Sequence, residues 1–388
     1  MESYDFLVII AAILISTKVL GLFSRKIHMP QVVGALVAGI ILGPSVLGAV
    51  SGTSSSEFLA VMSKIGVILL MFMAGIDTDI KELKKTGFAS FVIAMIGVIV
   101  PLIGGYLTYV GCIDEYNGSA DEILKAVFVG VVLTATSVSI TVETLREMGK
   151  LQGRMGTAIL GAAIIDDIVG IIVLTIITSF KDPNVAILDV VLKIVLYFIM
   201  IVVVAFVVHI FANIINKNNN FRRIAIYSLA GCLILSYVSE VYFGVADITG
   251  AYFAGLILCN LGIKEYVAKK MTVVSYMMFS PIFFASIGFD TNLHQLSSGI
   301  VIFAIILLLV AIATKIIGCG IGAKICKFSN KDALNIGIGM VSRGEVALIV
   351  AQKGVELGLL STELFPAVIL VVIVTTLITP ILLKFTVK

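Results

Sequence analysis

The sequence predicts an all-α membrane protein of about thirteen transmembrane helices, arranged as two inverted six-helix repeats joined by helix 7. Composition is the first reason: hydrophobic residues make up 60% of the 388 and charged residues only 13%, against about 45–50% and about 25% in a soluble domain. The second is the recurrence, along the whole chain, of apolar runs of about 17–25 residues, the length that crosses a bilayer. The third is a pair of motifs that return seven spans apart. A net charge of +3 is too small to suggest nucleic acid as a partner. The five cysteines (Cys112, Cys232, Cys259, Cys319, Cys326) form no Cys/His cluster that would announce a disulfide framework or a resident metal, and no cofactor is expected.

The apolar runs fall at 5–23, 32–48, 57–76, 87–110, 124–145, 155–179, 185–212, 223–240, 245–262, 271–290, 299–320, 334–356 and 364–384. The first follows Glu2 and Asp5 and precedes Arg25 and Lys26, the reverse of a signal peptide's charge order, so it is expected to stay as a helix. The connections test the count. Odd-numbered ones carry Arg25 and Lys26, then Lys81, Lys84 and Lys85, then Arg146, Lys150 and Arg154, and so on through Lys324, Lys327 and Lys331; even-numbered ones carry only Lys125, Lys181 and Lys353. Lys and Arg favour the cytoplasmic side. The N-terminus is therefore expected outside and the C-terminus in the cytoplasm, in a multi-pass plasma-membrane protein.

In the second span Gly34-Ala-Leu-Val-Ala-Gly39 returns in the ninth as Gly250-Ala-Tyr-Phe-Ala-Gly255, and Ala74-Gly75-Ile76-Asp77-Thr78-Asp79 of the third returns as Ile287-Gly288-Phe289-Asp290-Thr291-Asn292 after the tenth. Seven is odd, so the two halves have opposite orientation, the plan of many secondary transporters. This divides a single transmembrane domain into repeat one (1–180), a linker helix (181–215) and repeat two (221–388), with no soluble regulatory domain expected. Such transporters bind substrate near the midplane at interrupted helices. Helix 5 has the hydroxyl-rich stretch Thr134-Ala-Thr-Ser-Val-Ser139, whose side chains compete for backbone hydrogen bonds. Its counterpart, helix 12, has Ser342-Arg343-Gly344-Glu345. The hydroxyls also suit ordinary packing between helices, and the sequence leaves both readings open.

Charged side chains within the spans point most directly to a site, because each costs about 2.5–3.5 kcal/mol on insertion scales. Asp166 and Asp167 lie mid-way along helix 6 and cannot snorkel to an interface. Neighbours on a helix point about 100° apart, so one carboxylate is free to pair while the other faces a cavity. Lys315, deep in helix 11, is the best-placed lysine to neutralise either aspartate, although snorkelling towards the cytoplasmic face is open to it. Arg343 and Glu345 form either a local structural pair or part of the ion site. Lys18, Lys64 and Lys193, nearer the span ends, read as snorkelling residues, and His28, His209 and His294 as membrane-edge residues rather than ligands.

With these residues in place the chain resembles the monovalent cation:proton antiporters. The matching segments are Thr134-Ala-Thr-Ser137, Gly161-Ala-Ala-Ile-Ile-Asp166-Asp167-Ile168, Thr314-Lys315-Ile-Ile-Gly318-Cys-Gly320 and Gly339-Met-Val-Ser-Arg343-Gly344-Glu345-Val346, in family order along essentially the whole chain. They look most like the branch containing the bacterial NapA and GerN proteins. The resemblance implies an NhaA/NapA-like fold with crossed broken helices, and a homodimer in which each protomer has a dimerisation part and a core part. It implies that Asp167 alternately binds sodium and a proton and that Asp166 pairs with Lys315. Thr134 would line the site, and Arg343 and Glu345 would organise the second broken helix. The family's other large branch has Asn-Asp and Arg at the Asp166-Asp167 and Lys315 positions, which favours electrogenic exchange for this chain.

The expected function is exchange of cytoplasmic sodium, with lithium as a further cargo, for external protons by alternating access, with electrogenic coupling. The expected partners are monovalent cations, protons and the bilayer; no enzyme activity is expected. Potassium/proton exchange and a non-transporting cation sensor on the same fold are the alternatives. A channel lacks a reason for buried carboxylates in inverted repeats, and a bile-acid-type symporter lacks one for adjacent aspartates with Lys315.

Overall fold

In the computed structural model, residues 4–27, 29–44, 46–48, 53–113, 116–180, 187–217, 221–289 and 298–387 are described, and their regular structure is entirely helical. The first half comprises α1 (Asp5–Lys26), α2 (Gln31–Leu42), α3 (Thr53–Asp77), α4 (Ile80–Cys112), α5 (Ala120–Thr134), α6 (Val138–Glu147), α7 (Arg154–Ser179) and α8 (Ile187–Lys217). The second comprises α9 (Phe221–Phe243), α10 (Asp247–Leu258), α11 (Lys264–Val274), a π-helical turn (Ser275–Phe279), α12 (Ser280–Phe289), α13 (Ser298–Ile325), α14 (Asn330–Gly339), α15 (Glu345–Glu356) and α16 (Phe365–Thr386).

Among the described residues, ten helical stretches are long and apolar enough to cross a membrane, and Gln31–Leu42, Asp247–Leu258 and Val346–Val355 are shorter apolar helices. Several helices begin before their apolar runs. The Asp79 carboxylate accepts the Lys81 backbone N–H at 2.7 Å, an N-cap that starts α4 early and puts Lys81, Lys84 and Lys85 in its first turns rather than in a loop. Likewise α11 starts at Lys264, so Lys269 and Lys270 are helical. The second copy of the repeated motif, Asp290-Thr291-Asn292, lies outside the described residues, as do His28, His294 and the chain at 181–186 and 218–220.

Packing sorts the helices into two bundles. In one, here the scaffold, α3 packs on α10, α12 and α11, α2 on α1 and α12, and α10 on α9. In the other, the core, α4 packs on α13, α7 and α5, and α13 on α14 and α16. The bundles touch where α6 meets α3 and α2, and where α2 meets α16. Helix α8 joins them, contacting α7 on one side and α9 on the other. It buries Ile194, Tyr197 and Ile201, spaced as one helical face, and turns Leu188, Leu192, Val195, Ile199, Val202 and Phe206 outward. Tyr197 stacks within 5.7 Å of Phe243 and 6.2 Å of Phe253, which anchors α8 to the scaffold.

Small residues set how closely these helices approach. A Cβ on Gly75 would collide with the Tyr252 carbonyl, and one on Gly255 with the Phe72 carbonyl, so α3 and α10 cross backbone to backbone. Of the two Gly-rich helices of the repeat, α2 lies at the boundary between bundles, whereas α10 packs mainly within the scaffold on α3 and α9. Gly75→Ala should therefore cost about 1–3 kcal/mol through overpacking. Gly231→Ala on α9, where a Cβ meets nothing within 4 Å, should gain about 0.5–1 kcal/mol from reduced backbone entropy. Thermal unfolding of the detergent-purified variants checks both signs.

Candidate ion-binding site

Two helical segments in the core are interrupted, between α5 and α6 at 135–137 and between α14 and α15 at 340–344. The interruptions meet. The Ser137 backbone N–H donates to the Ser342 carbonyl at 2.7 Å, and the Ser342 hydroxyl donates to the Ser137 carbonyl at 2.8 Å. Thr141 donates its hydroxyl to the Gly339 carbonyl at 2.6 Å. These contacts satisfy part of the backbone that each break leaves without helical partners, as hydrocarbon surroundings require. Gly344 permits the crossing, because a Cβ there would stand 2.7 Å from the Ser137 hydroxyl oxygen.

Arg343 fills the crossing and is fully buried. Its guanidinium donates to the Leu133 carbonyl at 2.5 Å in the last turn of α5, to the Val341 carbonyl at 2.9 Å just beyond α14, and to the Ala311 carbonyl of α13 at 3.3 Å. The C-terminal ends of two half-helices, each carrying partial negative charge, thus share one fixed cation. Thr376 of α16 donates to the Arg343 carbonyl and ties the linker to the last helix. Glu345 opens α15 two residues on; its side chain lies outside the described set.

Beside this crossing, α7 presents Asp166 and α13 presents Lys315. The lysine Nζ lies 3.1 and 3.2 Å from the two Asp166 oxygens, with Lys315 0% and Asp166 2% exposed. Lys315 is therefore held in the interior and does not snorkel. Asp167 is also buried, at 8% exposure, and one helical step round from its neighbour. Gly97 of α4 leaves the room that Lys315 and Cys319 occupy: a Cβ there would strike the Cys319 sulfur and stand 4.0 Å from the lysine Nζ.

The two threonines of the first break use their hydroxyls differently. The Thr134 hydroxyl turns back to the Val131 carbonyl at 2.7 Å within its own helix. Thr136, two residues on in the interrupted stretch, donates its hydroxyl across the crossing to the Met340 carbonyl at 3.4 Å. A residue at a helix end spends its hydroxyl on the local carbonyl, whereas one in the break is free to reach the facing segment. Among the described residues no cluster of three or more His, Cys, Asp and Glu side chains could hold a metal ion, and the five cysteines are free.

A second polar cluster, not anticipated from the sequence, gathers on α6. Arg146 donates to Asp77 of α3 at 2.6 Å and stands 3.9 Å from Glu143. Tyr276 of the π-helical turn donates to Glu143, and Glu147 accepts the Gln31 backbone N–H at 2.8 Å. The available signal was a pair of carboxylates four residues apart on one helical face, with an arginine between them, at the end of an apolar run.

Comparison with known proteins is consistent along the chain. A family model described as "Sodium/hydrogen exchanger, transmembrane" matches residues 9–388. The chain is 41% identical to the Na(+)/H(+)-K(+) antiporter GerN of Bacillus cereus over 99% of this chain and 96% of that one. It is 36% identical to a Na(+)/H(+) antiporter of Enterococcus hirae over 99% and 98% of the two chains. A solved structure of the sodium proton antiporter MjNhaP1 from Methanocaldococcus jannaschii superposes with a TM-score of 0.71 at 18% identity, covering 99% of this chain and 97% of that one, and so shares its fold.

The buried ion pair gives a thermodynamic expectation. Lys315→Gln leaves a buried carboxylate without its cation and should cost about 3–5 kcal/mol, whereas Lys315→Gln combined with Asp166→Asn removes both charges and should recover most of that loss. Thermal unfolding of the two single variants and the double variant measures the coupling; additive losses would show that the pair is energetically silent.

Proposed function

The chain belongs to the transmembrane sodium/hydrogen exchanger family, and from that premise we propose that it exchanges cytoplasmic sodium for external protons by alternating access. The observation that carries this reading is the buried Asp166–Lys315 pair beside Asp167, at the crossing of two interrupted helices. A site that exchanges a cation for a proton needs a carboxylate that takes one or the other. Asp167 has that role in this reading, with Asp166, Thr136 and nearby carbonyls shaping its surroundings and Thr134 supporting the break from the end of α5. Arg343 fixes the crossed half-helices, and Glu345 belongs to the same second break.

Thirteen crossings in two inverted repeats, the N-terminus outside and the C-terminus in the cytoplasm of a plasma-membrane homodimer, complete the picture. The alternating Lys/Arg distribution and the paired motifs support it. The core moves against the scaffold about the boundary formed by α2, α3, α6 and α16. Lys315 makes the exchange electrogenic: its pair with Asp166 opens as sodium binds, the lysine releases a proton, and two protons enter for each sodium that leaves. Potassium is a second candidate cargo, favoured by the similarity to the Na(+)/H(+)-K(+) antiporter of Bacillus cereus; lithium competes at the same oxygen site. The reading describes a transporter without a cofactor.

Because sodium and proton compete for one carboxylate, apparent sodium affinity should fall about tenfold per pH unit once the site protonates. Asp167→Asn should abolish sodium-dependent proton flux in proteoliposomes while the purified protein stays folded. Undiminished exchange by that variant would remove Asp167 from the mechanism.

A further inference from the structure

The polar cluster on α6 has no part in holding the ion, yet its partners all lie across the boundary between bundles. Glu143, Arg146 and Glu147 belong to a core half-helix of ten residues. Their partners are Asp77 at the end of α3, Tyr276 in the π-helical turn and the first backbone N–H of α2, all in the scaffold. At its other end the same half-helix is bound into the crossing through Ser137 and Thr141. A rigid segment of that length therefore links the ion site directly to the scaffold.

The Glu143 and Arg146 contacts are largely shielded from solvent, whereas the Glu147–Gln31 contact lies at the exposed end of the half-helix. The Glu143 side chain is 2% exposed, Arg146 17% and Asp77 24%. The π-helical turn inserts an extra residue per turn, a feature that recurs where a helix carries a functional side chain, and here it carries the hydroxyl that meets Glu143. Next to the cluster lies a cavity of about 930 Å³, lined by Glu143, Glu147 and Tyr276 and by the basic side chains Lys18, Arg25 and Lys384. It offers water and opposite charge to the carboxylates once they leave their scaffold partners. Sliding the core past the scaffold cannot preserve contacts between three α6 side chains and three scaffold elements.

We infer that Glu143, Arg146 and Glu147 form a latch onto Asp77, Tyr276 and Gln31 that holds the core in the conformation described here, and that releasing this latch limits the rate of exchange. The inference rests on the bundle movement proposed above. It makes Tyr276 and Asp77 positioning residues: they touch no transported ion and act by setting the population of one conformation.

Weakening the latch without removing a core charge should speed transport. Tyr276→Phe and Asp77→Asn, each reconstituted in proteoliposomes at saturating sodium, should raise the maximal exchange rate about three- to tenfold, as expected when a conformational step limits turnover. Labelling of a Gly170→Cys thiol, near Asp167 on α7, from the face opposite the cavity should rise in the same variants, measured against the same proteins without that cysteine. A purely structural role predicts rates at or below wild type with labelling unchanged, and that result would overturn the latch. In Asp77→Cys/Arg146→Cys, a bifunctional thiol reagent spanning the length of the original pair should stop exchange, and cleaving the bridge should restore it. Exchange that continues through the bridge overturns the latch and leaves alternating access standing if the Gly170→Cys thiol still labels from both faces. Labelling from one face under every gradient overturns the bundle movement itself, and the latch with it.

Discussion

The Asp166–Lys315 pair is the interaction on which the rest of this architecture depends. Two opposite charges stand 3.1 Å apart, both buried, in a chain of membrane-spanning helices. Each alone costs about 2.5–3.5 kcal/mol to insert, and even a well-paired buried bridge is often no more stable than apolar residues of the same volume. Stability therefore does not explain the pair. In the proposed exchange it is a device with two states, one in which the charges satisfy each other and one in which an arriving cation competes for the carboxylate. The glycine at position 97 and the helix crossing around the pair make sense as the accommodation of that device.

The interrupted helices follow from the same constraint. An ion entering hydrocarbon needs oxygen ligands and fixed dipoles, which continuous helices do not offer because their backbone groups are already paired. Breaking two helices at one point supplies free groups, at the expense of orphaned carbonyls. Arg343 answers that problem by donating to three carbonyls from three segments. Its charge also opposes the negative ends of α5 and α14, as Lys315 opposes Asp166. The scaffold is close-packed, with α3 and α10 crossing backbone to backbone.

Much of this was legible in the sequence because charge in an apolar run has few innocent readings. The depth of Asp166, Asp167 and Lys315 foretold their burial, and the hydroxyl-rich and Ser-Arg-Gly-Glu stretches marked the breaks. Which of the hydroxyls at 134 and 136 bonds within its own helix and which reaches across the crossing was not legible, since it depends on where the helix ends. The α6 cluster was hidden for a different reason. Glu143 sits near the end of its run, where a carboxylate reads as interfacial, and its partner Tyr276 is 133 residues away in a turn whose π-helical register no apolar periodicity reveals. Helix starts such as Ile80 and Lys264 were also missed, because a capped or intrinsically helical basic segment looks like a loop when hydropathy alone is followed.

The central claim is that the Lys315 charge takes part in the transport cycle rather than only balancing Asp166. Sodium flux in proteoliposomes, with pH equal on both sides and a valinomycin/potassium potential as the only driving force, tests it most directly. One net charge crossing per cycle is worth about 2.3 kcal/mol per 100 mV. The account predicts that an interior-negative potential drives sodium out against its gradient in the wild-type protein. It also predicts that Lys315→Gln, where it still exchanges, does not respond to the potential. Wild-type flux indifferent to the potential, or a glutamine variant driven as strongly as wild type, would contradict it.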